Sequence, residues 1–401
     1  MGKLKGIRFL YISRYWIPFS GGAELEGHHF VQRLMSEGAE VEVVTFHPVE
    51  LDDRFDVDYK ITRIVHPDFD PEATKYDAYA YQWYDWNRSE LFNHLLEGHE
   101  NKSWDVVIHY NDQGPQDFLY GKHERFKTSW LNIGRIWDPP VALNNGWEDW
   151  PWRLGYEMML FPTQYHYDAT GKNNDEPAMV LPPAKVEVSS NIEELDDLDS
   201  RPYDFGFVNP IYHKGIGMVA KLIGMFPTKK FLIKAGNYQA QDFLQYLNRW
   251  HDNVEIAGWY DDMNDYYRSC KAILYPSMQE GFGMVSYEAL ANGCLTFANA
   301  HPVMMSACPI GPVYIDAYPE VTKKNYYKYH MTWTSDQHNE AMELAAETWF
   351  DEIEDVLEDP ERIEQLRSKG LEALPYLEQH IESCYEKFYD YVVDAVAKKS
   401  I

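Results

Sequence analysis

The sequence predicts an α/β chain of two domains, and three observations carry that expectation. The chain opens strand, helix, strand: "KGIRFLYIS" (5–13) reads as a buried parallel strand, "GAELEGHHFVQRLMSEG" as a helix ending at Gly38, and "AEVEVVTFHP" as the next strand. A second such unit lies far downstream, where the strand "CKAILYP" (270–276) runs through a glycine turn into the helical "MVSYEALANG". Finally, 401 residues are enough for two domains of about 150 to 200 residues each.

Composition narrows the class. The apolar fraction is 45%, and no run approaches the ~18 apolar residues of a membrane span, so a soluble protein is expected. The N-terminal "MGKLKGIRFLYIS" is short and runs straight into Arg14, as a first core strand does and a signal peptide does not. The four cysteines form no CxxC pair and have no histidine at metal-ligand spacing, which suits buried thiols in a reducing cytoplasm and speaks against structural zinc. A formal charge of -28 disfavours nucleic acid and anionic membranes, whose binding rests on neutralising phosphates with Lys and Arg.

The richest stretch is "SMQEGFGMVSYEALANGC" (277–294). Gly281, Phe282 and Gly283 turn the chain at a helix start, where small residues admit a ligand and amides point outward, Met284 being the first helical residue. Glu280 precedes the turn, and Glu288, seven intervening residues on, returns to nearly the same face. Amides suit a phosphate; carboxylates suit sugar hydroxyls. The stretch resembles the Glu-x7-Glu signature of retaining glycosyltransferases of GT-B fold, in particular family 4. That resemblance implies that Glu280 contacts donor-sugar hydroxyls, that the amides around Phe282, Gly283 and Met284 hold sugar and phosphate, and that Glu288 takes the ribose hydroxyls.

The other segments follow the same family order. The loop "RYWIPFSGGAE" places Gly21 and Gly22 at the first helix start, where the family carries a glycine pair against the donor phosphates; it is not the GxGxxG of a dehydrogenase. In "YDAYAYQWYDWNRSELFNHLLEG" a helix is expected from near Ser89, and Trp83 and Trp86 either line an acceptor site or cover a hydrophobic flank. "WDVVIHYNDQG" resembles the family's strand ending in a polar loop, with His109 as the candidate catalytic group and Asn111 and Asp112 able to share or replace its role. "SWLNIGRIWDPP" reads as another strand with Arg135 and Asp138 at its end as acceptor contacts; a histidine common in the family here is missing. Thr163 is the expected N-cap in "FPTQYHYDAT".

Downstream of the charged "EVSSNIEELDDLDSRP", Lys214-Gly215 matches the family's Lys-Gly pair, and a lysine there stabilises charge on the leaving phosphate. The family's arginine four residues earlier is replaced by Pro210, leaving His213, Lys234 or Arg268 as possible second cations. The backbone at Trp259 and Tyr260, after the strand "NVEIAG", is where the nucleotide base would lie, and "YLEQHIESCYEKFYDYVVDAV" resembles the closing helix that crosses back onto the N-domain.

The resemblance therefore implies two Rossmann-like domains facing a cleft: an acceptor-binding domain over 1–187, a linker at 188–202, a donor-binding domain over 203–374, and a helix at 375–401 packing back on the first. The implied activity is retaining, metal-independent transfer from a nucleotide-sugar co-substrate, a UDP-sugar being favoured, with no other cofactor and no integral membrane association. The acceptor stays open among a small molecule, a glycan and a hydroxymethylated base in DNA. A non-catalytic sugar-nucleotide binder, or a phosphorylase or epimerase of the same fold, are the rival readings.

Overall fold

The computed structural model describes residues 2–18, 22–46, 57–67, 84–110, 130–135, 156–170, 177–185, 197–235, 251–258, 260, 262–318 and 335–399, with 51, 55, 247 and 249. It divides the chain into two compact units, Met1–Lys185 with Ile381–Ile401, and Val186–His380.

The first unit is built on seven strands: β1 (Arg8–Ser13), β2 (Glu40–Thr45), β3 (Lys60–Arg63), β4 (Val106–Tyr110), β5 (Leu131–Arg135), β6 (Met158–Phe161) and β7 (Ala178–Val180). They lie in the order β3-β2-β1-β4-β5-β6-β7, with parallel pairing throughout. Covered on both faces, such a sheet favours continuous apolar strands, and β4 and β6 are buried along their whole length. Helix α1 (Gly22–Ser36) follows β1, α2 (Tyr84–Glu100) precedes β4, and α3 (Gln164–Thr170) follows β6. Thr163 caps α3, its Oγ1 accepting from the amide of His166 at 3.3 Å. Helix α2 begins five residues before the expected Ser89.

The second unit repeats the plan with six strands: β8 (Tyr203–Val208), β9 (Phe231–Lys234), β10 (Val254–Ala257), β11 (Cys270–Tyr275), β12 (Leu295–Asn299) and β13 (Val313–Ile315). Their order is β10-β9-β8-β11-β12-β13, again parallel. Among the described residues its helices include α4 (Ile216–Met225), α5 (Met263–Arg268), α6 (Met284–Ala291), α7 (Pro302–Ala307) and α8 (Ser335–Leu357). Alternate residues of the strands feed two cores. Phe205, Phe207, Phe231 and Ile233 pack with α4 and with Trp349 of α8 on one face, while Leu232 and Ile273 meet Tyr266, Tyr267 and Ala289 on the other.

The last helix, α9, runs Pro360–Lys399 and passes through Pro375, so it starts earlier than the expected 375. Its C-terminal part belongs to the first unit. There Tyr385 donates to the carbonyl of Pro182 at 3.1 Å, Tyr391 to that of Glu157 at 2.9 Å, and Phe388 packs on Phe30. Among the described residues, no helix is long and apolar enough to cross a membrane.

Candidate functional site

In an open parallel sheet, ligands bind at the carboxyl edge where the connections part in opposite directions. In the second unit that point lies between β8 and β11, adjacent strands whose successors run to opposite sides. The loops leaving them are 209–215 and 276–283.

The first loop departs with Asn209 in the left-handed region (φ 59°), its amide held by the carbonyl of Lys234 at 3.1 Å. It closes in a 3-10 turn, Tyr212–Lys214, and Gly215 (φ 88°) starts α4. No other residue fits at 215: a Cβ there would stand 2.6 Å from the carbonyl oxygen of Pro276. That contact, and a 2.9 Å bond from the amide of Met278 to the carbonyl of His213, fasten the two loops together.

The fastening delivers Lys214 to Glu280. Lys214 Nζ donates to Glu280 Oε1 and approaches the carbonyl of Gln279 at 3.4 Å. Glu280 is only 7% exposed. Burial would push its pKa up, but the Lys214 ammonium, with hydrogen bonds from Ser277 and Tyr275, outweighs burial and holds the carboxyl below its ordinary value. Gly283 (φ 99°) then caps α6, whose first amides lack intrahelical acceptors, while Phe282 stacks on Tyr287 at 5.3 Å. One helix face on, Glu288 accepts from the Tyr267 hydroxyl at 2.5 Å. Tyr260 packs half-buried, edge-on to Tyr266; Trp259 lies outside the described residues. Lys234 ends β9 with its Nζ on the carbonyl of Ala235 at 3.0 Å, and burial lowers its pKa.

The corresponding point of the first unit lies between β1 and β4. Gly22 opens α1 and is exposed, with no atom near a would-be Cβ. His109 is buried on β4, its ring 5.6 Å from that of Tyr156. Gly21, Trp83, Asn111, Asp112 and Asp138 lie outside the described residues.

Arg135 and Trp86, the two expected acceptor contacts among the described residues, are both packed against side chains of the first unit. Arg135 is fully buried: its guanidinium grips both carboxylate oxygens of the equally buried Glu26, Nη1 to Oε2 at 2.6 Å, and lies 4.1 Å over the Phe30 ring. Burial would draw its pKa down, but the Glu26 charge outweighs it and raises it. Arg135 thus pins α1 to the end of β5. Trp86 sits half-buried against the cluster of Leu91, Leu95 and Trp104 and edge-on to His66 at 5.1 Å, because a large ring on an apolar helix face is drawn into the flank it covers.

Sequence reading missed Tyr275 and Ser277, which bond Glu280, and His301, whose loop Asn299 ties to the Ser277 carbonyl. The strand pattern of "CKAILYP" placed Tyr275 at the carboxyl edge, and a polar residue before Pro302 is an N-cap signal.

Residues 204–306 match the family model described as Glycosyl transferases group 1. No curated protein matches. Among solved structures, sucrose-phosphate synthase from Thermosynechococcus elongatus superposes with a TM-score of 0.70 at 14% identity, covering 97% of this chain and 100% of that one. HepE of Anabaena, in complex with UDP and glucose, gives 0.62 at 12% identity over 96% and 100%. Pneumococcal O-GlcNAc transferase GtfA, in complex with UDP and GlcNAc, gives 0.62 at 11% identity over 96% and 99%. The fold of the chain is thus GT-B, and the family model that residues 204–306 match is one of glycosyl transferases.

Proposed function

From a chain with the GT-B fold and a second unit matching a glycosyltransferase model, we propose an enzyme that moves a sugar from a nucleotide-sugar donor to an acceptor hydroxyl, with retention and without a metal ion, as family 4 does. The observation that carries this reading is the Lys214–Glu280 pair beside the Gly283 turn, at the carboxyl edge of the second sheet.

An ammonium has three donors, and Lys214 directs two at Glu280 and the Gln279 carbonyl. The third is available to a diphosphate oxygen, where negative charge grows as the glycosidic bond breaks. The amides at the start of α6 stabilise the same charge. Glu280, ionised by its surroundings, accepts from sugar hydroxyls, and Glu288 from the ribose. The acceptor hydroxyl attacks from the face the diphosphate leaves. UDP is the favoured nucleotide, supported by the HepE and GtfA complexes. The four buried thiols suit a reducing, cytoplasmic setting.

A thermal-shift panel of UDP, GDP, ADP and their glucose or mannose conjugates tests the reading. A ligand at about 100 times its dissociation constant adds about 2.7 kcal/mol of stability. Stabilisation by one nucleotide family is expected; none from any member would overturn the donor reading.

A further inference from the structure

His301 ends the loop after β12, the strand beside β11, and lies within the charge field of both Glu280 and Lys214. Its place is fixed from several sides. Asn299, two residues earlier, donates through Nδ2 to the carbonyl of Ser277 at 3.0 Å, tying this loop to the one that carries Glu280. The amide of His301 bonds the Asn299 carbonyl at 2.6 Å, and Pro302 follows as the first residue of α7.

The ring is 5% exposed, and its one hydrogen bond among the described residues is through Nδ1, which accepts from the amide of Val303 at 3.2 Å. An Nδ1 that accepts from a backbone amide carries no proton, so the proton of the neutral ring sits on Nε2. Burial, the largest influence, and the Lys214 charge hold the ring neutral, lowering its pKa to about 4 against the opposing pull of Glu280. The edge of the sheet therefore carries a neutral N–H donor on a loop tied to the one that holds Glu280, a carboxylate that only accepts.

We propose that His301 is a donor-sugar contact, its Nε2–H and the Glu280 carboxylate together forming a subsite for a sugar hydroxyl. A group between them must donate to one and accept from the other, which a hydroxyl does and a phosphate oxygen cannot. The subsite thus selects the polyhydroxylated half of the donor, leaving the diphosphate to Lys214 and the α6 amides. This inference rests on the donor reading above.

His301→Asn tests it, because an asparagine oxygen caps α7 equally well while the Nε2–H is lost; His301→Ser is a second capping variant should the first fail to fold. Dissociation constants for UDP, UDP-glucose, GDP and GDP-mannose are measured by calorimetry on the native chain and the variants. The expected result is a loss of about tenfold confined to the sugar conjugates, so that the affinity ratio of conjugate to bare nucleotide falls. An unchanged ratio, whether both affinities fall equally or neither falls, overturns the role of His301 alone. A native chain that binds none of the four overturns the donor reading and this inference with it.

Discussion

Each of the two sheets holds a buried ion pair near its carboxyl edge, and the two pairs are built differently. Arg135 and Glu26 are both wholly inaccessible, joined by a two-pronged planar contact and enclosed by Phe30, Tyr11 and Tyr110. Lys214 and Glu280 keep side-chain exposures of 19% and 8%, and the cation is a single charge on a flexible stem. A guanidinium with no accessible surface presents no face to a ligand. An ammonium that keeps some exposure and, among the described residues, directs only two of its three donors inward can present one, on the function proposed above. Burial of a charge pair alone therefore does not point to a site; the proposed function rests instead on the pair that keeps some exposure at a sheet's carboxyl edge.

The largest effects come from breaking each pair. Arg135→Ala leaves the Glu26 carboxylate buried without its cation and is expected to cost about 3–5 kcal/mol, seen as a fall in the urea midpoint; the double swap Arg135→Met with Glu26→Leu should restore most of it. Survival of the single variant at full stability would remove the distinction drawn between the pairs. Lys214→Ala should lower turnover by about 10²–10³-fold, a loss of transition-state stabilisation measured by donor hydrolysis or transfer. In the same variant the Glu280 carboxyl, no longer held low by its cation, should titrate upward, readable by carbon NMR.

Next comes the fastening between the loops. Gly215→Ala forces a Cβ into a left-handed position and against the Pro276 carbonyl, a cost of roughly 1–3 kcal/mol in thermal stability, with activity lost as Lys214 shifts. The last expected effect, a slope of stability with pH, belongs to the first unit. Burial in the first turn of α1 raises the Glu24 carboxyl from 4.5 to about 7, against a bond to its own backbone. The folded chain thus holds a proton that the unfolded chain releases, so between about 4.5 and 7 stability falls as pH rises, and below that window this dependence vanishes. Glu24→Gln should flatten that slope in pH-dependent unfolding.

Much of this architecture was legible in the sequence because the strands are continuous apolar runs and the turns are marked by glycine. Gly215 and Gly283 sit where a left-handed backbone is required, and the residues beside them, Lys214 and Glu280, came into contact as their spacing along two separate loops could not by itself require. The surroundings of Arg135 and Trp86 were not legible in the sequence, for one reason. A charged or aromatic residue at a strand or helix end looks solvent-facing in one dimension, and the partner that buries it, Glu26 more than a hundred residues away or the flank around Leu91, is supplied only by the fold. His301 went unnoticed because its chemistry depends on a neighbouring strand.

The free cysteines have a use that their inertness conceals. Cys270, Cys294 and Cys308 belong to one unit and Cys384 to the other, all buried, and burial pushes the thiols of Cys270, Cys308 and Cys384 up, away from the reactive thiolate. An alkylating reagent can therefore reach them only through opening of the structure around them. Mass spectrometry of the alkylated peptides would time the opening of each unit separately, and a donor bound by the second unit alone would slow three of those clocks while leaving the fourth to run.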